Sequence, residues 1–298
     1  MTQENPPAKP IHIPVLPTEI VSFLNISTDG IYLDGTVGLG GHAKLIANQL
    51  SPNGHFIGID RDETALAHCK QTLSGCPTPV SLIHDSYHNF SSILDNLEID
   101  SVNGMVLDLG LSSLQLDSIE RGFSYTMDAD LDMRFDSNQS IKASDVLNQT
   151  HPTELANIIY EYGEERRSRQ IAKSIERMRP LSTVFNLVEA IRRCTPANHR
   201  GKTLARVFQA IRIKVNGELD KLNLFLSSFQ SRLALGGRVA IISFHSLEDR
   251  MVKHAFRSMA KEGVLRLLTK KPIIASEEEQ KQNRRSRSAK LRVVERIQ

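Results

Sequence analysis

The fold this sequence predicts is α/β: an open, mostly parallel sheet with helices on both faces, interrupted by an all-helical insertion. Three observations carry that reading. From Ile31 to Gly110, short apolar runs alternate with amphipathic stretches. A glycine-rich turn, Asp34-x-x-x-Gly38-x-Gly40-Gly41, joins the first apolar run to the first helical one. After Gln115 the strand rhythm stops, helical patterns follow alone, and "RVAIISF" resumes the sheet.

Taken in order, Met1 to Pro17 carries five prolines and reads as an extended arm. Glu19 to Leu24 is a short helix. "IYLD", "HFIGID", "VSLIH" and "NGMVLDLG" are strands, separated by the helices "HAKLIANQL", "ETALAHCKQTL" and "SSILDNL". Apolar runs of this length between amphipathic helices are what a sheet buried on both faces requires. Arg121 to Asp136 has no period and reads as a long ordered loop. Ala143 to Arg193 contains helices only. From Leu204 one long helix is expected to reach Ala234 and stop at Gly236-Gly237. "VLRLLT" and "AKLRVVERI" flank a polar stretch and predict a long terminal hairpin. The expected organisation is a core in two parts, 1–135 and 205–298, around a helical domain at 136–204.

The chain has 298 residues, 40% of them hydrophobic, enough for a sizeable core. Its three cysteines, Cys69, Cys76 and Cys194, form no C-x-x-C pair. That argues against a disulfide framework or a structural zinc and fits a reducing compartment. The first twenty residues show no apolar signal region, and no apolar run nears the ~20 residues of a membrane span. A soluble, cytoplasmic protein without a membrane partner is expected. Net charge is only +3, yet Glu164 to Lys214 holds thirteen Lys/Arg against four Asp/Glu, and Lys281 to Gln298 seven against one. Two basic surfaces point to a polyanion, nucleic acid above all.

Glycines between a strand and a helix, with an acid (Asp60) closing the next strand, form a nucleotide-handling unit. Bare backbone allows close approach, and the acid accepts two ribose hydroxyls. Gly38-x-Gly40-x-x-Ala43 also satisfies the dinucleotide pattern, so an NAD-dependent oxidoreductase is one reading. S-adenosylmethionine is the other: an acid ending the first strand, Asp34, suits its ammonium group, and a terminal antiparallel pair suits a methyltransferase sheet.

The strings "DGTVGLGGHA", "IDRD", "LDLGLSSLQLD", "RGFSY", "LDMR", "YGEER", "RVFQAIRIKVNGEL" and "GGRVAIISFHSLEDR" occur in that order. Together they resemble the ribosomal RNA small subunit methyltransferase H family over nearly the whole chain. The resemblance implies a Rossmann-like class I S-adenosylmethionine-dependent methyltransferase sheet with a helical insertion. It implies methyl transfer to the exocyclic N4 of a cytidine in the decoding region of 16S rRNA. The partner would be 16S rRNA or the small ribosomal subunit, with homodimer formation left open. By motif, the cofactor contacts fall on Gly40, Gly41, His42, Asp60, Tyr87, Asp108 and Gln115. Tyr87 stands where the family often has Phe, and Leu114 where it usually has Pro.

Asp108 ends a buried strand, where a carboxylate is costly unless used or well bonded. It is a candidate catalytic residue that could serve the cofactor, the target amine or both, and backbone carbonyls of "DLGLSS" could also accept from that amine. His245, at a strand's C-terminal end, is a second candidate, bordering the target base. Ser246-x-x-Asp249 reads as a helix cap. No G-x-S-x-G elbow supports a hydrolase. His84 and His88 have helical metal-pair spacing but no partner that completes a site, so no metal is expected. Phe123, Tyr125 and Arg134 in the long loop could receive an extruded base by stacking and phosphate contact, with Arg284, Arg285 and Arg287 on phosphate. An idle RNA-binding module and a small-molecule methyltransferase are the remaining rivals.

Overall fold

The computed structural model describes residues 13–112, 115 and 119–298. The expected arm falls largely outside these residues. Helix α1 (Pro17–Leu24) opens with proline in its first turn, where a missing N–H costs nothing. It leads to β1 (Ile31–Asp34), α2 (Gly41–Ala47), β2 (His55–Asp60), α3 (Glu63–Thr72), β3 (Val80–His84), α4 (Phe90–Asn96) and β4 (Val102–Asp108). The helical unit follows: α5 (Ala143–Gln149), α6 (Pro152–Gly163), α7 (Ser168–Met178), α8 (Val184–Cys194) and α9 (Arg200–Asn216). Then come α10 (Glu218–Ser228), β5 (Leu233–Ser243), α11 (Ser246–Lys261), β6 (Leu265–Leu267), α12 (Glu277–Gln282) and β7 (Lys290–Arg296).

Among the described residues, seven strands form one sheet in the order β3-β2-β1-β4-β5-β7-β6. β1 to β5 are parallel, and β7 runs antiparallel between β5 and β6. The strand alternation sorts two cores. Tyr32, Phe56, Val106, Ala240, Ile242 and Val293 pack one face with α1, α2 and α3. Leu33, Ile57, Met105, Leu107, Ile241 and Val294 pack the other with α4, α10 and α11. Apolar side chains on both faces explain why these strands read as continuous runs.

Four expectations need correction. The helix expected from Leu204 to Ala234 is two: Gly217, at φ +60°, ends α9 and α10 begins at the next residue. A left-handed turn is easy for glycine and breaks the helix there. Gly236 and Gly237 are not a helix stop. They lie inside β5, where the register with β4 shifts between Leu233 and Arg238, an irregularity that glycine accommodates. The polar stretch between β6 and β7 is no open hairpin loop, since it folds α12, capped by Ser276. Finally, the helical unit's core reaches beyond 136–204, taking in Phe123, Leu131 and Met133 on one side and Val207, Phe208, Ile211 and Val215 on the other. Arg121 to Asp136 is irregular, as expected, with one isolated bridge from Asp130 to Thr183.

Candidate active site

Asp34, Asp60 and Asp108 end β1, β2 and β4, three neighbouring strands. β1 and β4 flank the point where strand order reverses, the usual ligand crevice of such sheets. The glycine turn is built against these acids. Asp60 Oδ2 accepts from the Gly38 amide at 2.8 Å and its Oδ1 from the Asp62 amide at 2.9 Å. Asp34 Oδ1 accepts from the Thr36 amide at 3.0 Å, and Thr36 Oγ1 accepts from the Asp108 amide at 2.7 Å. A Cβ on Gly35 would stand 2.5 Å from Leu107 and 2.7 Å from Tyr87, so only bare backbone lets Tyr87 approach.

Burial pushes the Asp34 carboxyl up to about 7; the charges of Asp108 and Asp60 add to this and the Thr36 amide opposes it. Burial also raises Asp60, against hydrogen bonds from the Asp62 and Gly38 amides. Mutually repelling, desolvated carboxylates are relieved by a cation.

A cleft of about 920 Å³, part of it open to solvent, lies above them, and Gly41, His42, Asp60, Tyr87, Asp108 and Gln115 all line it. Gly40 does not: at φ +85° it turns toward α3, where a Cβ would meet Cys69 Sγ at 3.0 Å. Its place in the turn is conformational. His42 Nε2 lies 2.8 Å from the Val15 carbonyl, tying the start of α2 to the segment before α1. Tyr87 packs edge-on against Phe225 at 5.9 Å, and burial raises its hydroxyl. Gln115 is fixed by the Ser112 amide at 3.1 Å and by Asp62 Oδ2 at 3.3 Å. Leu114 lies outside the described residues. Asp108 Oδ1 is buried without a hydrogen-bond partner among the described residues, while its Oδ2 lies 3.8 Å from an Arg285 guanidinium nitrogen. An orphaned carboxylate oxygen is expensive unless a ligand meets it.

Arg61, Phe135, Glu218, Lys221 and Glu248 also line this cavity and escaped the sequence reading. Burial and the Arg61 charge lower Lys221 to about 8. Glu218 and Glu248 each sit in the first turn of a helix, a placement sequence reads as ordinary dipole complementarity. Arg285 is a correction. It does not project to solvent as a phosphate contact: it donates to the Leu111 carbonyl at 2.7 Å and stacks on Phe244.

A second cavity shares the Gly110, Leu111 and Arg285 lip and is walled by Phe123, Tyr125, Phe208 and Phe244, with Arg212 and His245. His245, not Ser246, is the N-cap of α11, and the box is His245-x-x-Glu248. Ser246 Oγ donates to Glu164 Oε2, and Asp249 pairs with Arg292 at 2.7 Å. Because His245 Nδ1 accepts the Glu248 amide, a neutral ring carries its proton on Nε2, 3.2 Å from Glu248 Oε1. Glu218, His245 and Glu248 also form a geometric cluster, with potential ligand atoms within 4.8 Å of one another. Arg212 already occupies both Glu218 oxygens at 2.9 and 2.8 Å. Arg134 is absent from the second cavity: Asp132 and the Ser137 and Gln139 carbonyls hold its guanidinium.

The 3-2-1-4-5-7-6 sheet, the turn after β1 and the acids at the strand ends define a Rossmann-like class I S-adenosylmethionine-dependent methyltransferase. The MraW methylase family model matches residues 9–297, and this chain belongs to that family. It is 47% identical to the ribosomal RNA small subunit methyltransferase H of Kosmotoga olearia, over 96% of this chain and 97% of that one. The protein of the same name from Caldicellulosiruptor saccharolyticus is 44% identical, over 96% and 99%. A third, from Trichormus variabilis, is 46% identical over 95% and 91%. No helix among the described residues is long and apolar enough to cross a membrane.

Proposed function

We propose that this protein methylates small-subunit rRNA at the exocyclic N4 of a cytidine in the decoding region. The observation that carries the reading is Asp108: a buried carboxylate oxygen, unpartnered among the described residues, beside the lip between an acid-floored cavity and an aromatic-walled one. The names of the relatives give the rRNA. The choice of N4 rests on that carboxylate and on the resemblance of the motifs.

S-adenosylmethionine, when bound, supplies a methyl group already activated by its sulfonium. Asp60 would accept the ribose hydroxyls, Tyr87 would cover the adenine, and the carboxylate cluster would favour the cationic end. The work left to the chain concerns the acceptor. The cytosine N4 lone pair is delocalised into the ring and is a poor nucleophile. Phe123, Tyr125, Phe208 and Phe244 offer faces for a base turned out of its stack. Asp108 accepts a hydrogen bond from the amine, aligning N4 and stabilising the positive charge as it develops. Such positioning is worth up to ~7–11 kcal/mol of barrier.

The test is methyl transfer. Labelled S-adenosylmethionine is incubated with unmodified small subunits, the rRNA is digested, and labelled nucleosides are identified by mass and chromatography. N4-methylcytidine is expected. A label on another atom or base would overturn the N4 assignment, and no label would overturn the rRNA substrate.

A further inference from the structure

We propose that α11 and the groove at its start form a track for the rRNA strand flanking the target nucleotide. The inference rests on the reading above and adds the path of the substrate beyond the cavity.

The groove lies where α6 and α9 of the helical unit meet α11 of the core, and Tyr160, Arg166, Arg206 and Arg250 are among its walls. All four are exposed. Arg166 makes no hydrogen bond or ion pair among the described residues, whereas Arg250 pairs with Glu164 at 2.9 Å and Arg206 with Glu165 at 3.5 Å. Tyr160 is 60% exposed, more than a phenol needs in order to wet its hydroxyl. Glu161 and Glu164 also line the groove, and Glu164 is paired with Arg250; an open ring beside an arginine side chain unpaired among the described residues is a feature of single-strand binding surfaces.

Beyond the groove, positive charge continues along α11. Val252 and Phe256 bury the inner face of that helix. Its outer side carries Arg250, Lys253, His254, Arg257 and Lys261 at spacings of three and four residues, one stripe about 16 Å long at 1.5 Å per residue. A merely solvated helix face would mix signs. Here the acids of α11, Glu248 and Asp249, are turned inward to His245 and to Arg292, and no acid interrupts the stripe from Arg250 to Lys261. The track also leads somewhere: α11 begins directly after His245, which lines the aromatic cavity. A strand laid on the stripe would enter the groove one turn from the place proposed for the target base.

The experiment measures the salt dependence of binding to small-subunit rRNA for three full-length proteins, alongside label transfer to small subunits. One is the unaltered protein and one is Arg166→Gln/Arg250→Gln/Arg257→Gln. The third, a charge-matched control, is Lys44→Gln/Lys70→Gln/Lys270→Gln, exposed lysines on segments that pack the opposite sheet face. Each phosphate contact contributes about 0.7 to the slope for a single strand. The first triple variant should therefore flatten the slope by about 2 and raise KM for subunits about tenfold or more, with kcat unchanged. The control should keep the parent slope. Equal slopes in all three proteins overturn the track. Absence of label transfer by the unaltered protein overturns the functional reading instead, and the slopes still decide whether the stripe binds RNA.

Discussion

Asp34 shows how one buried residue couples stability to ligand. Its carboxyl sits near 7 in the folded protein against 3.8 ordinarily. The folded state therefore binds the proton more tightly, and stability declines as pH rises between those values. Asp34→Asn keeps an oxygen for the Thr36 amide and removes the charge. At pH 8 it should stabilise the unliganded protein by about 1–4 kcal/mol, with no gain below pH 4; melts across pH check this, and parallel curves for both proteins would refute it. The same variant should weaken cofactor binding, because the cation loses a compensating charge. At Asp108 the expectation concerns rate. Asp108→Asn should lower transfer by a thousandfold or so, equivalent to ~4 kcal/mol, and leave rRNA affinity intact; single-turnover assays would show it, and unchanged turnover would remove Asp108 from the chemistry. Both acids were visible in the sequence as charges at the ends of apolar runs. The inward fold of Arg285 and the box starting at His245 were not, because side-chain direction and a one-residue shift in a cap leave no trace in spacing.

At the scale of elements, strand periodicity was enough to read β1 to β5, since burial on both faces writes each strand as an apolar run. The break between α9 and α10 was hidden because the apolar spacing continues across Gly217, and only the positive φ there separates them. Packing of α6 on α9 was equally silent. These helices meet at Gly163, where a Cβ would stand 2.6 Å from the Arg206 carbonyl and 3.3 Å from Ala210 Cβ. Backbone cannot move aside as a side-chain tip can. Gly163→Ala should destabilise the protein by ~1–3 kcal/mol through overpacking, despite alanine's better helix propensity. Denaturant unfolding reads the outcome, and a stabilised variant would mean the helices separate freely.

For the molecule as a whole, the question is what makes the helical unit and the sheet respond together. The sequence could announce an insertion but not the joint, because the bonds that make it depend on where side chains point and not on spacing. Asn216, 1% exposed at the end of α9, donates from Nδ2 to the Met133 carbonyl at 2.7 Å and accepts the Phe135 amide on Oδ1 at 2.8 Å. Its backbone carbonyl accepts from Arg61 at 3.2 Å and Lys221 at 2.7 Å. Phe135, Arg61 and Lys221 all line the acid-floored cavity. A ligand there thus presses on groups that Asn216 connects to the core of the helices. Asn216→Leu matches the volume but strands buried partners at Met133 and Phe135, a loss of ~2–5 kcal/mol. In the parent protein, S-adenosylmethionine should slow amide exchange both at the β1 and β2 ends and along α9. In Asn216→Leu, protection should remain at the strand ends and fade in α9. Equal protection of α9 in both proteins would show that the two units are coupled through another contact, with Arg121 to Asp62 as the next one to break.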